Sequence, residues 1–83
     1  MNKGRTLLRV LRAQREPRMT QSNVARAVAI ELGRGFSSSR YSQIETGQGA
    51  EPSTEERDAI AKVLGTTVGR IDWPVFELPA RAS

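Results

Sequence analysis

Apolar residues recur at helical spacing in every segment of this chain, and no stretch alternates with period two over a useful length. Gly and Pro break the pattern at short intervals, which points to a series of short helices. A first helix is expected from about Lys3 to Arg15, with Leu7, Leu8 and Leu11 as its apolar stripe. Pro17 stops it, because the residue before proline avoids the helical region. A second helix starts at the cap Thr20 and runs to about Leu32, lined by Val24, Ala25, Val28 and Leu32 and ended by Gly33 and Gly35. A third fits Ser37 or Ser38 through Thr46, with Tyr41 and Ile44 facing the core and Gly47 as its stop.

The strongest start signal is Ser53-Thr54-Glu55-Glu56, a capping box in which Ser53 caps and Glu56 reaches back. Ile60, Val63 and Leu64 form the apolar face of this fourth helix, and Gly65 ends it. A short fifth helix is expected from Thr66 or Thr67 through Asp72. The last residues, Val75 to Ser83, follow Pro74 and hold Pro79, and are expected to carry little regular structure. The fold class is therefore all-α, a compact bundle of five short helices.

Eighty-three residues make one domain with a modest core. Cys and His are both absent. Disulfides and thiolate chemistry are excluded, and so are the commonest general base and the commonest transition-metal ligand. No metal or other cofactor is expected. Without a carboxylate pair in a cleft, and with no base beside Ser37–Ser39, an enzyme is not expected either. No apolar run has membrane-spanning length, and the Arg-punctuated N-terminus does not read as a secretory signal, so a cytoplasmic location is expected.

The net charge of +4 is unevenly placed. Residues 1–40 carry nine Lys/Arg against two acids, net +7, while residues 41–83 carry four against seven, net −3. A basic half beside an acidic one fits a surface turned to a polyanion, and equally a solvated Arg-rich face. Reading a major groove takes a short helix whose exposed side holds small hydrogen-bonding side chains. Ser38, Ser39, Arg40, Ser42 and Gln43 supply such a set: Gln43 suits adenine, and Arg40 suits guanine or a phosphate. Single-stranded RNA is less well served. Tyr41 is assigned to the core, and the other aromatics are Phe36, Trp73 and Phe76.

Met19-Thr20-Gln21, Val24-Ala25, Tyr41 through Gly47, Pro52-Ser53, Ala59-Ile60-Ala61 and Leu64-Gly65 occur in that order. Together they resemble the Cro/C1-type, lambda-repressor-like helix-turn-helix family, the domain of phage repressors and many small bacterial regulators. The resemblance covers about Leu7 to Trp73. It implies a regulator that inserts residues 37–46 into the major groove of double-stranded DNA. It places Gln21, Thr46 and Gln48 at phosphates, and it pairs Glu45 with an arginine of the first helix, Arg12 or else Arg9. Arg15 and Arg18 lie where they also reach a phosphate. The sequence departs from the family in two places. Gln21 to Glu45 is several residues longer than usual, the excess lying in 29–38, and Glu16-Pro17-Arg18 lengthens the first turn.

Residues 1–73 are expected to form the DNA-binding domain, and 74–83 a tail. Trp73, Val75, Phe76 and Leu78 fit a fold-back onto the core as well as a dimer contact, the latter because related repressors pair through this end and bind two half-sites. A homodimer without a ligand domain is the expected form. The main alternative is an antitoxin, or a factor that binds RNA polymerase or another regulator through the tail.

Overall fold

The computed structural model describes residues 4–79. Four helices follow one another: α1 Leu8–Gln14, α2 Gln21–Leu32, α3 Ser38–Thr46 and α4 Thr54–Val63, with a 3-10 turn at Val68–Arg70. Local chemistry sets three of the starts. Thr20 Oγ1 accepts from Asn23 N–H and Asn23 Oδ1 accepts from Thr20 N–H, a reciprocal box at the head of α2. Ser37 Oγ accepts from Arg40 N–H at the head of α3. Ser53 and Glu56 exchange the same pair of bonds, 3.2 and 2.9 Å, at the head of α4. Gly33 and Gly47 end α2 and α3 in the left-handed conformation, with φ of 71° and 80°.

The second helix is the central element and packs on both α3 and α4. It contributes Val24, Ala25 and Val28 to the core, α3 adds Tyr41 and Ile44, and α4 adds Ala59, Ile60 and Ala61. Leu8, Leu64 and Ile71 close the ends. Full burial of residues such as Ile44 and Ile60 contributes about 1.5–3 kcal/mol each. None of the described helices is long and apolar enough to cross a membrane.

Among the described residues the bundle has four α-helices, not the expected five. The expected helix at 66–72 shrinks to the three-residue 3-10 turn. Thr66, Thr67, Val68 and Ile71 are β-branched and Gly69 sits among them, so helix propensity is low. Ile71 leaves the turn extended and bridges Thr6 in parallel. Thr6 N–H donates to Arg70 C=O and Asp72 N–H donates to Thr6 C=O, both at 2.9 Å. That pairing also delays α1, whose start falls at Leu8, well after the expected position at Lys3, which lies outside the described residues. Leu7 is consequently an extended cap residue, 42% exposed, and not part of the apolar stripe.

The excess length between Gln21 and Glu45 is divided. Helix α2 has twelve residues, and the connection Gly33–Ser37 adds five before α3.

Candidate nucleic-acid interface

Helix α3 has two distinct faces. Tyr41 and Ile44 are fully buried and hold it against α2. Ser38, Ser39, Gln43 and Thr46 are exposed on the other side, and Ser42 is half-buried between them. Gln48 is exposed just beyond the helix, its N–H bonded to Gln43 C=O at 3.0 Å.

Arg40 is not on that exposed face. Its guanidinium donates to Ala50 C=O at 2.8 Å and to Glu56 Oε1 at 3.2 Å, and its Nη2 reaches Glu51 C=O at 3.5 Å. The expected base contact is therefore replaced by a clamp that ties the first turn of α3 to the loop before α4. Burial raises the Glu56 pKa, but the Ser53 N–H and the Arg40 guanidinium outweigh it and hold the carboxyl below its ordinary value.

A second network fixes the other end of α3. Arg12 Nε and Nη2 donate to the two Glu45 oxygens at 2.6 and 3.2 Å, a bidentate fork from α1. Arg12 Nη1 also donates to Met19 C=O, just ahead of the Thr20 cap. Gln21 Nε2 donates to Glu45 Oε1 at 2.9 Å. The side-chain amide of Gln21 is thus engaged inside the protein, which leaves its backbone N–H, in the first turn of α2, as the group suited to a phosphate. Burial raises the Glu45 pKa, and the bonds from Arg12 and Gln21 more than reverse it, so the net shift is downward. Tyr41 lies beneath this pair; burial first, then the Glu45 charge, push its hydroxyl far above the ordinary phenol range.

The remaining expected phosphate contacts separate. Thr46 Oγ1 donates its proton back to Ser42 C=O at 3.1 Å, with Gln43 C=O at 3.3 Å, so the hydroxyl has no proton left for a phosphate in this arrangement. Arg15 rests its guanidinium against Gly65, where a methyl group on the glycine would meet Nη1 at 2.7 Å. That is the C-terminal end of α4, where the helix dipole favours a cation, and it is the length of a ten-residue helix, about 15 Å, from the Arg40–Glu56 clamp. Arg18 is exposed.

The tail divides as well. Trp73 donates its indole N–H to Val68 C=O at 3.1 Å and lies under the Arg57 guanidinium, 4.8 Å from the ring centroid. Phe76 packs against the core beside the same arginine. Val75 and Leu78 remain exposed, at 95% and 57%. The backbone of this segment straps the loop after α3. Glu77 N–H donates to Gly47 C=O, Leu78 N–H to Gly49 C=O, and Glu51 N–H to Leu78 C=O.

The family model described as a helix-turn-helix domain matches residues 5–73. The chain belongs to the helix-turn-helix domain family. No curated protein and no solved structure gave a match. In this helix-turn-helix, α2, the connection 33–37 and α3 form the motif, and membership points to a DNA-binding regulator. Among the described residues no cluster of acids suits a metal ion. Two features escaped the sequence reading. The Arg40 clamp carries no sequence signal, because two of its three acceptors are backbone carbonyls, which no sequence pattern marks. The tail strap was missed because its bonds are backbone bonds made outside any periodic segment.

Proposed function

We propose that this helix-turn-helix domain is a sequence-specific regulator of transcription that reads double-stranded DNA with α3 in the major groove. The observation that carries the reading is the exposed row Ser38, Ser39, Gln43 on a helix whose back, Tyr41 and Ile44, is fully buried. Such a helix presents its polar side chains at fixed positions, as base reading requires. Gln43 is the reader, through its amide to adenine, and Ser38, Ser39 and Ser42 add shorter contacts. Gln48, Arg18 and the Gln21 backbone amide at the head of α2 are the groups for phosphates.

Selection from random duplexes at near-physiological salt tests this. Enrichment of a defined motif is the expected result. Salt-sensitive binding without enrichment would remove base reading and leave only attraction to a polyanion. An inverted repeat with half-sites about one helical turn apart would identify a dimer as the bound form.

A protein-contact reading has one observation of its own. Val75 and Leu78 project from the tail while Trp73 and Phe76 turn inward. A homodimer contact through this pair is consistent with a regulator. An antitoxin or polymerase-binding role is the competing reading; it is compatible with DNA binding and gains weight where no duplex is enriched.

A further inference from the structure

The Glu77 carboxylate sits at the edge of the surface assigned to DNA. Its Oε2 accepts from the backbone N–H of Gly49 at 3.1 Å. Gly49 lies directly after Gln48, and a methyl group on it would fall 3.7 Å from Gln43 Oε1. The carboxylate therefore covers an amide that adjoins the proposed reader. It is exposed, and among the described residues no Lys or Arg pairs with it. Its place does not depend on that one bond, because the backbone bonds of Glu77 and Leu78 to Gly47 and Gly49 hold the strap independently.

A backbone N–H beside a groove-reading helix is a donor of the kind that DNA phosphates accept from. An uncompensated carboxylate there occupies the donor and repels the phosphate. Resting on the DNA-binding reading above, we propose that Glu77 sets affinity by holding the Gly49 amide in place of a DNA phosphate. Every duplex must displace or tolerate this charge, whatever its sequence. The bases are still ranked by α3.

The test compares the wild type with Glu77→Gln, which keeps a hydrogen-bond acceptor and removes the charge. Asp58→Asn, on the exposed side of α4, controls for net charge. Binding to a fixed set of duplexes is measured by fluorescence anisotropy at about 50 and about 200 mM salt. Glu77→Gln is expected to bind every duplex about three- to tenfold tighter at the lower salt, with the gain shrinking at the higher and the base ranking unchanged. Asp58→Asn should stay within about twofold of the wild type. Glu77→Lys, a second variant, should gain more than Glu77→Gln. Unchanged or weaker binding by both Glu77 variants, or an equal gain from Asp58→Asn, overturns the proposal. If the wild type binds no duplex at all, the DNA-binding reading falls first and this inference with it.

Discussion

The Arg12 guanidinium meets the Glu45 carboxylate through two hydrogen bonds, and the second oxygen of that carboxylate also accepts from Gln21. One acid thus joins the first three helices: Arg12 on α1, Gln21 at the head of α2, and Glu45 itself in the last turn of α3. Glu45→Ala leaves Arg12 and Gln21 without their acceptor in a half-buried site. A loss of about 1–3 kcal/mol is expected, or roughly 5–15 °C in Tm for a domain of this size. Thermal unfolding of the variant checks this, and base preference should be unaltered. An unchanged Tm would mean the fork contributes nothing net.

The two engaged carboxyls give stability a predictable pH dependence. Glu45 and Glu56 both have folded pKa values below their ordinary value. Their contribution is fully present above the unfolded pKa of about 4.3 and is lost as pH falls through the folded values. Urea midpoints should therefore be flat around neutrality and fall under acid conditions. Glu45→Ala should flatten the acid side of that profile, and a profile as steep as the wild type's would contradict the assignment.

Arg40 clamps the loop to α4, so its removal should act through the shape of the site. Arg40→Ala is expected to lower Tm and to weaken binding to all duplexes by a similar factor, with the order of preferred bases kept. Loss of preference at a single base pair would return Arg40 to the groove.

Gly47 meets two demands at once. Its φ of 80° favours glycine, and a methyl group on it would lie 2.6 Å from Val75 C=O. Gly33 has the same backbone conformation and nothing within 4 Å. Gly33→Ala should cost about 1–2 kcal/mol from conformation alone. Gly47→Ala should cost more, and the excess should disappear in a chain ended at Trp73. Denaturant unfolding of the four combinations measures it; equal costs for both glycines in the full chain would contradict the strap.

Legibility of the sequence followed the range of the interactions. Thr20, Ser37 and Ser53 announce α2, α3 and α4 because each cap is settled within four residues. Tyr41, Ile44 and Ile60 are legible as core because helical spacing repeats. The start of α1 is not, because the partner of Thr6 lies beyond residue 69 and the competition between helix and bridge is decided there. Arg40 does not belong to the exposed set on α3. Its position fits the row of polar residues, but its long side chain can reach the carbonyls of Ala50 and Glu51, and local pattern carries no trace of them. The resemblance to a family, and not spacing, singled out Glu45 among nine acids.

The most direct test of the central claim, that Gln43 reads an adenine in the major groove, uses a selected duplex in which each adenine is replaced in turn by 7-deazaadenine. The replacement removes the N7 acceptor from the major-groove edge and leaves the minor groove intact. The wild type is expected to lose about tenfold in affinity at one position, at the lower end of what a bidentate contact provides, and Gln43→Ala to lose nothing further there. No sensitive position, or the same loss in both proteins, would contradict that claim.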